Sequence, residues 1–358
     1  MFKFIKKADW LLNGSLVIIA SAGLLVLASS SPDLFIKQLI FFLAGMVFVL
    51  VAPAFDLRHL INYRWLILSI LVFSILLLLS VHFVGVEVNG SQSWIDLGIF
   101  RLQPSEFSKV ALILVLAAFF SQRHIGIKRP AVILGSFAYF AVPAALILLE
   151  PDLGSALILF GIWFGFLLVA GLPAKYIVAG IMLFAVMGLV AWNFSLKDYQ
   201  RNRIMAVFNP EADPLGVNWN IIQSKNAIGS AGVFGKGFKQ GAIVQLGFLP
   251  AAQTDFAFAS FVEEWGFLGG AVVIGAFMVL IWRIAVAGFL ARGNFNKFIC
   301  LGTMIFLGLQ FAVNMGSVIG FTPVIGVAFP LLSAGGSNMM ASMFLIGIVQ
   351  NIAARKNA

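Results

Sequence analysis

The stretch LPAAQTDFAFASFVEEWGFLGG, residues 249–270, sets three carboxylates in an otherwise apolar run: Asp255 near its start, then Glu263 and Glu264. Pro250 and Thr254 mark a chain reversal followed by a helix, so Asp255 falls at the cap or in the first helical position. There it can accept from unpaired N–H groups and favour the helix dipole, and a simple N-cap is one complete account of it. The same carboxylate, partly buried at a membrane face, can instead act as a general base toward a hydroxyl. Glu263 and Glu264 follow roughly 12 Å further in at 1.5 Å per residue. An unpaired acid in mid-bilayer costs on the order of 3 kcal/mol, so both are expected to face the interior of a helix bundle, protonated or paired. Lys109 is a candidate partner; it lies three residues after Glu106 in QPSEFSK and shares its helical face. A polar network that locks helix packing and a functional site both account for such buried charge.

A second cluster precedes Asp255. Between residues 195 and 255 lie Lys197, Arg201, Arg203, Lys225, Lys236 and Lys239. A solvated loop explains them, as does a site for an anionic ligand such as a phosphorylated lipid headgroup. Within the cluster, AIGSAGVFGKGFKQG (227–241) invites comparison with a phosphate-binding loop. The match fails twice, because Ser230 stands where the first Gly of that motif belongs and Gly237 follows Lys236 where Ser or Thr is required. What remains is a glycine-rich backbone with two lysines, able to approach phosphate oxygens closely or to serve as a hinge.

The elements that must position these residues are membrane helices. Of the 358 residues 61% are hydrophobic and 10% charged, against about 25% charged in a soluble domain. Mean hydropathy is +1.03. Apolar runs long enough to cross about 30 Å of hydrocarbon recur along the chain, and backbone satisfaction in lipid makes them helices. The sequence predicts an all-α polytopic membrane protein of ten spans, near 14–30, 34–54, 64–84, 105–121, 130–149, 153–171, 174–194, 256–282, 297–319 and 330–352. Residues 1–358 then form a single membrane domain, with 195–255 as a large loop between the seventh and eighth spans.

Lys and Arg fall mostly on one side of these spans: Lys3, Lys6 and Lys7, Arg58 and Arg64, Arg123 to Arg129, Lys175, Arg283 to Lys297, then Arg355 and Lys356. That asymmetry puts both termini in the cytoplasm and the 195–255 loop outside, since long loops escape the rule. The net charge of +9 is thereby divided between orientation and the loop, and nucleic acid is an implausible partner outside the cell. Cys300 is the single cysteine and His59, His82 and His124 are scattered, so neither a disulfide framework nor zinc-ligand spacing exists.

Residues 197–270, from KDYQRNRI through FGKGFKQG to TDFAFASFVEEWGFLGG, resemble the SEDS family of cell-wall polymerases. The resemblance extends to NGSQSWIDLGIFRLQPSEFSKV (89–110), EPDLGSAL (150–157) and NMGSVIGFTPVIGVAFPLLSAGGSNMMASMFLIGI (314–348). YQRNRI, NPEADPLG, IIQSK and FGKGFKQG are more similar to the elongation branch, RodA, than to the division branch, FtsW.

The resemblance implies a peptidoglycan glycosyltransferase that polymerises lipid II, the undecaprenyl-pyrophosphate disaccharide-pentapeptide, at the outer face of the bacterial cytoplasmic membrane. It also implies a class B penicillin-binding protein as partner, within the elongation machinery. The Asp of TDF maps onto Asp255 as catalytic group, with Glu263 and Glu264 supporting its helix. Arg201, Arg203, Lys236 and Lys239 become candidates for stabilising the pyrophosphate, with a divalent cation, magnesium or manganese, able to share that task. Trp94, Gln103 and Ser105 are candidate headgroup contacts. Glu106 and Lys109 would line the cavity beneath, and Ser333 and Ser337 fall in a small-residue element suited to close backbone approach.

Several positions depart from the family pattern: Ala251 stands where Glu is usual, Ser93 where Arg is, Glu150 where Gln is and Ala334 where Tyr is. None touches Asp255. Two other classes are compatible with these residues, a lipid II flippase and a non-catalytic scaffold for the penicillin-binding protein. A transporter would show inverted repeats, and no convincing internal repeat is present.

Overall fold

A computed structural model of the chain describes residues 8–55, 64–88, 91–98, 100–123, 129–194, 201, 205 and 218–355. Helices occupy all ten predicted spans: α1 (Trp10–Ser30), α2 (Pro32–Val51), α3 (Arg64–Val84), α4 (Pro104–Arg123), α5 (Pro130–Leu149), α6 (Leu153–Val169), α7 (Ala174–Phe194), α10 (Ala257–Leu290), α11 (Asn294–Ile319) and α12 (Gly336–Ala354). Among the described residues eight of these are long and apolar enough to cross a membrane, and α6 is a shorter apolar helix. Their ends carry the expected punctuation. Asp9 accepts from the Leu12 N–H at the start of α1, Asp152 accepts from the Ser155 N–H at the start of α6, and Pro32 and Pro130 open α2 and α5.

The long loop is partly helical, with α8 (Trp219–Ser230) and the single turn α9 (Ala242–Gln245). A three-stranded antiparallel sheet, absent from the sequence expectation, joins α3 to α4: β1 (Gly85–Val88), β2 (Ser91–Asp96) and β3 (Arg101–Leu102), in the order β1-β2-β3. It delivers the chain directly to Gln103 and Pro104.

The core lies between α1, α4, α10, α11 and α12. Here α1 packs along α10, α4 along α11, and α12 along α2, with Phe120, Phe166, Phe277, Phe306 and Phe329 fully buried. At the end of the bundle where α1 starts and α12 stops, Arg283 of α10 donates to Asp9. The opposite end carries the sheet and the long loop, and is called the loop end below.

Two spans differ from expectation there. The last helix begins at Gly336 rather than near 330, because Phe321–Gly335 runs as irregular backbone through the bundle with Phe329, Leu331 and Leu332 buried. Such backbone is tolerated in a membrane only where its polar groups find partners. Asn314 donates to the Val327 carbonyl at 2.9 Å, Gln38 to the Ser333 carbonyl at 3.2 Å, and the Phe329 N–H donates to the Ser333 hydroxyl at 2.9 Å.

The other exception is α10, which is broken at Gly266 (φ 73, ψ −176). In a straight helix Phe258 and Gly270 would stand about 18 Å apart. Instead a Cβ on Gly270 would lie 2.8 Å from Val262 and 3.3 Å from the Phe258 ring. The segment 257–265 therefore leans back onto 267–290 and does not extend it inward. Glu263 and Glu264 consequently do not lie in mid-bilayer: Ser29, near the loop end of α1, donates to Glu264.

Candidate functional site: a clamped aspartate turn at the loop end

Asp255 sits on a turn, residues 251–256, immediately before Phe256, the N-cap residue of α10. It is thus one position earlier than a cap. The turn closes on itself through the Thr254 and Phe256 N–H groups, which both donate to the Ala251 carbonyl, at 3.1 and 3.2 Å. Three successive carbonyls of the turn are then held from outside. The Ala334 N–H donates to Gln253 at 2.8 Å, the Ser333 hydroxyl to Thr254 at 2.5 Å, and the Asn314 amide to Asp255 at 2.8 Å. The backbone on either side of the half-buried Asp255 is fixed by two other parts of the chain, as a positioned acid requires. Asn314, which the sequence reading did not single out, bridges the turn and the irregular segment.

Ser333 and Ser337 bracket the start of α12 and join this turn to the QPSE element. Ser337 accepts from the Gln103 N–H at 3.0 Å. The Gln103 amide donates to Asp152 at 3.2 Å, and the Ser105 and Ser155 hydroxyls stand 3.1 Å apart. One turn deeper, Lys109 donates to Glu106 at 2.6 Å and Asn338 donates to the other carboxylate oxygen at 3.2 Å. That buried pair is complete, so Lys109 does not serve Glu263 or Glu264. Trp94 is half-buried on β2, opposite Val86.

Glu263 and Glu264 act on a different segment. The Glu263 carboxylate accepts from the Ile243 and Val244 N–H groups, at 2.9 and 3.2 Å, capping α9. Glu264 accepts from the Lys239 N–H at 3.2 Å and the Gln245 amide at 3.3 Å, besides Ser29. The glycine-rich backbone also fills the break in α10. The Lys236 and Gly237 N–H groups donate to the Glu263 and Glu264 carbonyls, each at 3.0 Å, while the Phe267 and Leu268 N–H groups donate to Gly232 and Val233, at 3.0 and 3.1 Å. Loop backbone thereby replaces the hydrogen bonds that the helix lacks. Contact is so close that a Cβ on Gly235 would stand 2.1 Å from the Glu264 carbonyl oxygen. The lysine side chains at 236 and 239 remain exposed.

The structure thus ties the Asp255 turn to Ser333, and through the start of α12 to Gln103 by way of Ser337 and to the Glu106–Lys109 pair by way of Asn338; Ser105 meets Ser155, and Lys236 and Lys239 belong to the Glu263–Glu264 assembly. Arg201 is half-buried, and Arg203 lies outside the described residues. Among the described residues no group of three or more His, Cys, Asp or Glu side chains could hold a metal ion.

Glu150 stands apart. It is 2% exposed and neither carboxyl oxygen has a hydrogen-bond partner. Burial first, and the neighbouring Asp152 charge second, push its pKa up to about 8.

A polytopic helical membrane protein with a polar, backbone-clamped acid at one end is the class this fold and site define. The FtsW/RodA/SpoVE family of cell cycle proteins matches residues 4–358, so the chain belongs to that family, the SEDS glycosyltransferases. It is 37% identical over 344 residues, 95% of this chain and 89% of the relative, to a probable peptidoglycan glycosyltransferase FtsW of Trichlorobacter lovleyi. With the peptidoglycan glycosyltransferase MrdB of Escherichia coli K12 it shares 38% over 285 residues, 78% of this chain and 76% of the relative. Among solved structures it is similar to a chain of a peptidoglycan synthase complex described as coordinating polymerization and crosslinking. That match has a TM-score of 0.80, 29% identity and 98% of both chains covered. The rod shape determining protein RodA of Thermus thermophilus matches with a TM-score of 0.71 and 25% identity, over 98% of both chains.

Proposed function

We propose that this glycosyltransferase polymerises lipid II into β-1,4 glycan strands for cell elongation, with Asp255 as general base. The observation that carries this reading is the clamp on the Gln253, Thr254 and Asp255 carbonyls, which holds the turn against the Ser333–Ser337 element. The acceptor GlcNAc 4-hydroxyl attacks the donor MurNAc anomeric carbon and Asp255 takes its proton. Undecaprenyl pyrophosphate leaves from the opposite face and the configuration inverts. A pyrophosphate needs its developing charge stabilised more than it needs a protein acid, so the paired carboxylates of glycoside hydrolases are a poor template. Arg201, Arg203, Lys236 and Lys239 are the cations proposed for that stabilisation. A divalent cation, magnesium or manganese, would share that stabilisation; no step here runs through it.

The positive-inside pattern supports placing the termini in the cytoplasm and the loop end outside the cytoplasmic membrane. YQRNRI, NPEADPLG and FGKGFKQG favour the RodA branch over FtsW. Similarity to the solved synthase complex supports a class B penicillin-binding protein as partner.

The test is polymerisation of lipid II by the purified chain with its cognate class B penicillin-binding protein, against Asp255→Ala and Asp255→Asn. Polymer from wild type and none from variants that still bind the partner supports the reading. Wild-type rates from both variants reduce Asp255 to a structural residue, and transfer of lipid II across vesicles without polymer moves the function to flipping.

A further inference from the structure

The link between Asp152 and Gln103 has an unused neighbour. Glu150 ends α5 two residues before Asp152, and its carboxyl group is buried without a hydrogen-bond partner. A buried carboxylate without partners is costly, whereas the neutral acid is much less so. Among the described residues the charged neighbour that bears on it is Asp152. On its own connection it meets Asp152, and Ser91 of β2 donates to its backbone carbonyl at 2.6 Å and to Ser93 at 3.1 Å. Gln103 and Ser105 stand at the start of α4, and the irregular segment Phe321–Gly335, whose Ile325 and Val327 abut Gly154, contains no charged residue. Asp152 meanwhile has two tasks: it caps α6 through Ser155 at 2.9 Å and holds the Gln103 side chain at 3.2 Å.

We propose that Glu150 is a positioning residue: as a neutral acid it leaves Asp152 on Gln103, and as a carboxylate it repels Asp152 and loosens the QPSE element. The inference rests on the reading of Gln103 as a headgroup contact. Ionisation releases the Glu150 proton to solvent and places two negative charges on one short buried connection, where repulsion is weakly screened. The pH window follows from the raised value of about 8. Between the ordinary Glu value of 4.5 and about 8 the folded chain holds a proton that the unfolded chain has released. The stabilising contribution of that proton is therefore complete below 4.5 and is lost as pH rises through the folded value.

The experiment uses full-length chain with its class B partner, wild type against Glu150→Gln, which keeps the shape and stays neutral. Polymerisation is measured from pH 6.5 to 9, and the melting temperature of each chain from pH 5.5 to 9. Wild-type activity is expected to fall about tenfold between pH 7 and pH 9, chiefly through a rise in KM for lipid II, as a group titrating near 8 ionises. Glu150→Gln should match wild type at pH 6.5, hold its activity to pH 9, and melt progressively higher than wild type as pH rises. Parallel pH profiles for the two chains, in activity and melting, overturn the proposal. If wild type makes no polymer at any pH, the polymerase reading fails and the melting curves alone decide: divergence above pH 6.5 upholds the neutral Glu150, and parallel curves overturn it.

Discussion

The two ends of one short helical segment use carboxylates in opposite ways. At residue 255 the acid's own backbone is held by Ala334, Ser333 and Asn314, so other residues position the carboxylate. At residues 263 and 264 the carboxylates hold the backbone of residues 239, 243 and 244, so the acids position something else. The first acid is positioned through its backbone, and the two that follow eight and nine residues later do the positioning through their carboxylates. A buried charge is thus no guide to catalysis until its partners are known: Glu263 is 1% exposed and Glu264 3%, yet both are structural girders for the glycine-rich loop.

Substitutions can break this contrast. The largest effect is expected at Asp255, where loss of the proposed general base should cost about 10²–10⁴-fold in polymerisation. Lys109→Met should come next. It leaves Glu106 buried with only Asn338, and removing one partner of a buried pair costs about 3–5 kcal/mol, read as a lowered melting temperature in detergent. Gly266→Ala should cost about 1–3 kcal/mol from its positive φ alone. The clash adds to this, since the new Cβ would stand 2.3 Å from the Gly235 nitrogen and 2.4 Å from the Val233 carbonyl oxygen. Limited proteolysis should then cut the chain near residue 235 sooner than in wild type. Glu263→Ala strips the α9 N–H groups of their acceptor for about 1–3 kcal/mol, again seen in melting. Smallest in stability is Lys236→Ala with Lys239→Ala: both side chains are exposed, so melting should stay within about 0.5 kcal/mol of wild type. If these lysines meet pyrophosphate, KM for lipid II rises; an unchanged KM confines their segment to filling the helix break.

Much of this was legible in the sequence. Hydropathy placed helices at all ten predicted spans, eight of them long and apolar enough to cross a membrane among the described residues, and QPSEFSK spacing placed the Glu106–Lys109 pair on one face. Motif content placed Asp255 beside the loop end. The break at Gly266 was not legible, because EEWGFLGG continues an apolar run and nothing local announces that loop backbone from residues 232–237 will fill the gap. Hence Glu263 and Glu264 were expected deep in the bilayer with Lys109 as partner, and are found at the rim bound to N–H groups. Phe321–Gly335 was read partly as helix for the same reason: its apolar residues are buried, and its irregular backbone is satisfied by Gln38, Ser333 and Asn314, two of them distant in sequence. The sheet before Gln103 was hidden by the shortness of its strands.

The hydrogen bonds that hold the turn around residue 255 go to its backbone carbonyls, and the role proposed for the Asp255 carboxylate is proton transfer in polymerisation. The direct measurement is Asp255→Asn in the purified complex, comparing melting temperature and lipid II polymerisation with wild type on the same preparation. Unchanged melting with polymerisation lost by 10²-fold or more, as expected on removing a general base, is the predicted result. A large drop in melting temperature, or polymerisation at the wild-type rate, would contradict it.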